Sequence, residues 1–170
     1  MSNFSLKGRA HKFGDDINTD YIIAGKYTKT LNLSDLATHL FEDIDPDFSK
    51  KVKPGDVVVA GRNFGCGSSR EQAPVAIKES GIAAVLAKSF ARIFFRNAIN
   101  IGLPALICDT DEINEGDELE IDLEKGTVFN VTRNKEITME PMPSIMKNIL
   151  KEGGLVPFLK EHGDFIKKAN

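Results

Sequence analysis

Val57-Val58-Val59-Ala60-Gly61-Arg62-Asn63-Phe64-Gly65-Cys66-Gly67-Ser68-Ser69-Arg70-Glu71-Gln72-Ala73-Pro74 runs from an apolar stretch, through a glycine-rich loop, into a helix start. The unbroken β-branched run predicts a strand over 56–60 that is buried on both faces. Gly65 and Gly67 permit backbone angles and close approaches that a Cβ forbids. Ser68 and Ser69 are good N-cap residues, and Glu71 and Gln72 stand at the capping-box spacing beyond them. Pro74 is tolerated in a first helical turn, where its missing N–H loses no bond. This reading gathers N–H groups, two hydroxyls and the Arg70 guanidinium at the positive end of a helix over 70–81. Such a point suits an anion, and a planar arginine fork suits a carboxylate.

On its own the loop also fits a plain strand-to-helix turn with capping serines and a solvated Arg70. It fits a carboxylate-binding regulatory module without catalysis as well. The phosphate-loop pattern is absent, and G-x-G-x-x-G fails because Arg70 occupies the last glycine position. A nucleophilic role for Cys66 needs a neighbouring imidazole, and His11, His39 and His162 lie far away in sequence.

Outward from this stretch the chain alternates strands and helices. A strand is predicted over 6–13, a polar loop over 15–20, and a short helix over 34–41 capped by Ser34. A loop follows over 43–54. Beyond the glycine-rich loop come a strand over 82–87, a helix capped by Ser89 and stopped by Gly102, and a strand over 103–108. This order predicts parallel pairing with right-handed crossovers. Alternation over 118–123, 127–132 and 136–139 then predicts an antiparallel meander. Ser144 is read as the cap of a helix ended by Gly153-Gly154, with a last helical piece over 155–162.

Composition predicts one domain over 1–170. The formal net charge is −3, from 22 basic and 25 acidic residues, and gives no nucleic-acid surface. No apolar run reaches the ~18 residues of a membrane span. The start, Met1-Ser2-Asn3-Phe4-Ser5, carries no basic-then-apolar leader. Two cysteines without secretory context predict a reducing, cytoplasmic setting and no disulfide framework. Cys66 and Cys108 are too few to ligate an iron–sulfur cluster, and no zinc spacing occurs. Cys108 is read as a buried small hydrophobe.

Three segments carry a family resemblance. Gly65-Cys66-Gly67-Ser68-Ser69-Arg70-Glu71-Gln72-Ala73-Pro74 resembles the G-[CE]-G-S-S-R-E-[HQ]-A signature of the aconitase superfamily. Ala87 through Asn97 to Gly102-Leu103-Pro104 resembles its second signature. Asp15-Asp16-Ile17-Asn18-Thr19-Asp20-Tyr21-Ile22-Ile23 resembles its third. Together they span roughly residues 10 to 108, in family order, and are most similar to free-standing small subunits of the superfamily's dehydratases. The resemblance implies an α/β fold: a swivelling β/β/α barrel-like domain, with a mixed sheet and flanking helices. It implies a hydro-lyase that acts by dehydration and rehydration as a heterodimer with a large subunit. That partner is expected to hold a [4Fe-4S] cluster, with no metal bound by this chain.

The resemblance also implies roles. Ser68 matches the catalytic base, which acts as an alkoxide. Asp20 matches an acid that orients active-site groups; read locally it is a turn-forming residue among Asp15, Asp16 and Asn18. Ser69 and Arg70 match substrate-binding positions, with Arg70 clamping a carboxylate. Gly65, Cys66 and Gly67 shape the loop. Thr28 and Lys29, in Gly25-Lys26-Tyr27-Thr28-Lys29-Thr30, match the segment that contacts the group differing between substrates. Where a Y-L-R-T pattern carries arginine, this chain has Lys29, which can pair with a carboxylate or expose only its stem. The implied substrate is first an isopropylmalate of leucine biosynthesis. Homoaconitate, citrate-type acids and a methylated malate are the alternatives.

Overall fold

The computed structural model describes residues 4–29 and 32–163. Thr30, the last residue of the substrate-choice segment, lies outside them. The apolar run forms β2 (Val57–Val59), which lies between β1 (Ser5–Lys12) and β3 (Ala84–Ala87), with β4 (Ala105–Ile107) beyond. All three pairings are parallel. On its other side β1 pairs antiparallel with β5 (Glu118–Asp122), which continues through β6 (Thr127–Asn130) to β7 (Lys135–Thr138). The result is a seven-stranded mixed sheet in the order β4-β3-β2-β1-β5-β6-β7. Its two ends approach each other. Cys108, just past β4, bridges Met139, just past β7, and the Glu140 amide donates to the Ile107 carbonyl at 2.8 Å. The sheet therefore curls into a barrel-like shell.

Strand alternation divides the apolar residues between two cores. Val57, Val59, Ala84, Leu86 and Leu106 face Leu119, Ile121, Val128 and Ile137 inside the curl. Val58, Val85 and Ala105, one residue out of phase, pack beneath a helical layer. This double burial explains the unbroken valine run. The helical layer includes α4 (Gln72–Glu79) and α5 (Arg92–Asn100), which contribute Ala73, Ala76, Ile77, Phe94 and Ala98. Between β1 and β2 lie α1 (Thr19–Ile22), α2 (Leu33–Thr38) and α3 (Phe48–Lys51). The chain closes with α6 (Ser144–Lys151) and α7 (Leu155–His162). Across β1 and the start of β2, His11 Nε2 meets Asp56 Oδ2 at 2.7 Å, and both side chains are buried.

Strand order follows the sequence reading, but α1 falls partly on the predicted loop over 15–20, and the helix starts differ. The Asn32 side chain, not Ser34, caps α2 by accepting from the Ser34 amide at 3.1 Å. α4 begins at Gln72 with Glu71 at its N-cap and no side-chain cap, so neither Ser68 nor Ser69 forms a capping box. The Ser89 hydroxyl accepts from the Asn63 amide at 2.8 Å, and α5 starts later, at Arg92. Pro143 occupies the N-cap of α6, with Ser144 as its first residue. At α2 and α6 a nearby polar group or proline takes the position. The predicted loop over 43–54 also contains α3, where Phe48 is buried. Gly102 ends α5 as expected. It has φ +84°, and the Leu103 and Gly102 amides donate to Ala98 and Ile99 in the Schellman pattern.

Candidate active site

Because β1 and β2 are parallel neighbours, the segments that follow them leave the same end of the sheet side by side. Backbone bonds lock the two together. The Gly65 amide donates to Ile17 at 2.8 Å, and the Thr19 amide donates to Cys66 at 2.9 Å. Asp15 Oδ1 accepts from the Arg62 amide, and Asp16 Oδ1 accepts from Asn63 Nδ2. The acidic residues before Thr19 thus build the loop pair. Gly65 and Gly67 adopt φ +82° and +93°. A Cβ on Gly65 would lie 2.3 Å from the Phe94 ring, so close packing against α5 requires glycine there.

Three side chains converge where the loops meet. Ser68 Oγ accepts from Arg70 Nε at 3.1 Å and lies 3.2 Å from Thr19 Oγ1. The Thr19 hydroxyl donates to the Ser68 carbonyl at 2.9 Å. Arg70 is held at two further points: Nη1 donates to the Ile23 carbonyl at 3.3 Å, and Nη2 meets Asp20 Oδ1 at 2.5 Å. With Nε on Ser68, three of its five side-chain N–H donors are engaged among the described residues. Ser68, Ser69 and Asp20 are exposed, Arg70 is partly buried, and Thr19 is buried. The Ser69 side chain has no hydrogen-bond partner among the described residues.

Thr19, Ser68, Ser69 and Arg70 line a hollow of about 190 Å³, and Asp20 stands outside its lining. Thr19, Gly65, Gly67, Ser68, Ser69 and Arg70 form one wall, and Arg92, Ile93 and Asn97 of α5 form the other. The volume suits a small acid rather than a drug-sized ligand. A larger cavity, about 350 Å³, lies between β4, the β7 end and α6 and contains none of the predicted site residues. The first hollow is the candidate because it joins a hydroxyl to a guanidinium.

Thr28 and Lys29 stand apart from this wall. The Thr28 hydroxyl donates to Gly25 at 2.7 Å, its carbonyl accepts from Gln72 Nε2 at 3.2 Å, and Lys29 is exposed. Cys66 is half-buried and contributes its carbonyl to the loop bond with Thr19. Burial, and then the Asp16 charge, raise its thiol above the ordinary cysteine value. Burial, helped by Asp109, pushes the Cys108 thiol up to about 12. Both therefore favour the neutral thiol rather than the thiolate a metal needs. No group of three metal-ligating side chains occurs among the described residues. No helix among them is long and apolar enough to cross a membrane.

Thr19 and the α5 wall were not singled out by the sequence reading. Thr19 sits inside the quoted Asn18-Thr19-Asp20 segment, but only the β1–β2 pairing brings it to Ser68, 49 positions away. For Arg92, Ile93 and Asn97 the available signal was their place in the second signature segment.

Residues 16–110, which include both walls of the hollow, match the aconitase C-terminal domain family. The chain belongs to that family. It is 61 % identical, over 94 % of its length and 97 % of the relative's, to 3-isopropylmalate dehydratase small subunit 2 of Archaeoglobus fulgidus. It is 58 % identical to the methanogen homoaconitase small subunit of Methanocaldococcus jannaschii, over 92 % of each chain. The crystal structure of 3-isopropylmalate dehydratase from the same methanogen superposes with a TM-score of 0.91 at 55 % identity, covering 98 % of this chain and 99 % of that one. The curled mixed sheet with flanking helices is thus the family fold.

Proposed function

We propose that this chain, as one domain over 1–170, is the small subunit of a heteromeric hydro-lyase. The enzyme interconverts 2-isopropylmalate and 3-isopropylmalate by dehydration and rehydration, in leucine biosynthesis. The names of the similar small subunits support this reading. The carrying observation is the Ser68 hydroxyl, held by Arg70 Nε at the mouth of a small hollow.

This chain's share of the reaction is the proton. The proton to be removed lies on a carbon beside a carboxylate, and such a carbon acid is weak. Ser68 serves as the base in its alkoxide form. The adjacent guanidinium favours that anion, and a nearby positive group is the ordinary means of lowering a hydroxyl's proton affinity. The Arg70 guanidinium, together with Ser69, holds a substrate carboxylate. Asp20 fixes the plane of the guanidinium. Gly65, Cys66 and Gly67 shape the loop that presents Ser68. Thr28 and Lys29 lie at the edge, where they act on the part of the acid that extends beyond the hollow.

The chain has two cysteines, fewer than the thiolates an iron–sulfur cluster takes, and no group of three metal-ligating side chains occurs among the described residues. A [4Fe-4S] cluster is expected in the large subunit, the partner that the naming of the similar chains as small subunits supports. The isolated chain is expected to be inactive.

The 58 % identical homoaconitase small subunit and the cation at Lys29 favour a second reading, in which the acid carries an extra carboxylate. The test is co-purification with a large subunit, then turnover of isopropylmalate, homoaconitate, citrate and a methylated malate, with and without Lys29→Ala. Isopropylmalate preferred by both proteins supports the first reading. A homoaconitate preference lost in Lys29→Ala supports the second. Substrate binding without turnover of any of them makes the chain a carboxylate-binding module.

A further inference from the structure

We propose that Thr19 is a positioning residue whose hydroxyl changes acceptor, from the Ser68 carbonyl to the Ser68 oxyanion, as the base is formed. The inference rests on Ser68 being that base.

Thr19 has one hydroxyl proton and two oxygens within reach. In the resting arrangement the proton goes to the Ser68 carbonyl at 2.9 Å. Ser68 Oγ then gives its own proton to Thr19 Oγ1 at 3.2 Å while accepting from Arg70 Nε at 3.1 Å. When Ser68 loses its proton to solvent, Oγ becomes an acceptor only. The Thr19 hydroxyl already lies beside it and needs only rotation about its Cβ–Oγ bond to donate. No heavy atom moves. The carbonyl it leaves is not stranded, because the Arg70 amide also donates there, at 2.9 Å. The oxyanion thus gains a second donor next to Arg70.

Thr19 is built to hold still. It is 2 % exposed, its amide is tied to Cys66, and its β-branched side chain has few rotamers. The Thr19 O–H bond is never broken. The Ser68 alkoxide takes the substrate proton, the electron pair stays on the carbon beside the carboxylate, and the Thr19 proton swings back to the carbonyl.

The test uses the enzyme assembled with its large subunit. Thr19→Val keeps the shape and removes the hydroxyl. Its kcat is expected to fall about a hundredfold, the lower end of what loss of one donor to a reacting oxyanion costs. With the oxyanion less stabilised, the ascending limb of kcat/KM is expected to move to higher pH by about one to two units. Thr19→Ser restores both, and in a Ser68→Ala background Thr19→Val costs nothing further. Should Thr19→Val fail to assemble, Thr19→Ala carries the same comparison. An unmoved pH limb overturns the inference, as does a Thr19→Ser protein as slow as Thr19→Val, or an equal loss in the Ser68→Ala background. Wild-type turnover by Ser68→Ala removes the base itself and this inference with it. An inactive Ser68→Ala beside a wild-type Thr19→Val overturns the Thr19 role alone.

Discussion

Asp20 Oδ1 and Arg70 Nη2 meet at 2.5 Å, joining the segment after β1 to the loop after β2. The Asp20 side chain is 61 % exposed, so the pair adds less than about 1 kcal/mol to stability. The role proposed for it is direction: it holds the guanidinium plane so that Nε stays on Ser68. Asp20→Asn is expected to leave the melting temperature within about 2 °C. Its kcat/KM in the assembled enzyme is expected to fall about tenfold, by loss of one charge-assisted contact. Wild-type kinetics in Asp20→Asn would remove the orienting role.

Arg70→Lys keeps the charge and loses the fork. A single ammonium cannot reach Ser68 Oγ, the Ile23 carbonyl and Asp20 at once, as the guanidinium does. The expected loss in kcat/KM is about a hundred- to a thousandfold, of the size seen when a preorganised donor is removed. Steady-state kinetics on the same substrate check this, and a loss below threefold contradicts it.

Gly65→Ala combines a left-handed backbone at φ +82° with a clash against Phe94. Strain and overpacking together predict about 2–5 kcal/mol of destabilisation. Gly67→Ala has a similar φ, but its nearest non-neighbouring heavy atom would be Asn18 Cβ at 3.4 Å, so only the strain of about 1–3 kcal/mol applies. Denaturant titration of the two variants gives the difference. Equal losses would mean that the Phe94 contact is not what requires glycine at 65.

Asp117 sets an acid-side dependence. Burial works to raise its pKa, but the Asn114 amide, the Asn130 side-chain amide and Arg133 together hold it below the ordinary carboxylate value. A depressed folded-state value gives stability that is present above the unfolded pKa, about 3.9. That stability is lost as pH falls through the folded value. Asp117→Asn is expected to flatten part of the stability profile between about pH 2 and pH 5. Unfolding free energies measured over that range check it, and parallel wild-type and variant profiles would refute it.

The valine run at 57–59 was legible because a strand covered on both faces has no polar positions to show. The alternation over 118–123 was legible for the opposite reason: β5 shows outward Glu118 and Glu120 between inward Leu119 and Ile121. Serine caps misled at Ser68 and Ser89 because those hydroxyls answer to partners other than a helix start. Ser89 serves Asn63, 26 residues away, and Ser68 serves Arg70 and Thr19. Ser68, Arg70 and Asp20 were found through the signature segments, and their convergence follows from parallel pairing. The partnership of Thr19 was hidden because nothing in a single sequence states which strands are neighbours. Thr28 and Lys29 were read as substrate contacts, but the structure places them outside the hollow that Ser68 and Arg70 line.

The buried contact of His11 with Asp56 has a consequence for the chemistry far from it. β2 is equally apolar on both faces, so its valines do little to forbid sliding along β1 by one residue. Such a slip displaces the strands by about 3.3 Å and would carry Ser68 out of reach of Thr19. It would also part the buried His11 imidazole from the Asp56 carboxylate. The pair therefore adds to the backbone bonds that fix the register of β1 against β2. Correct assembly of the sheet and correct spacing of Ser68 from Thr19 become a single event.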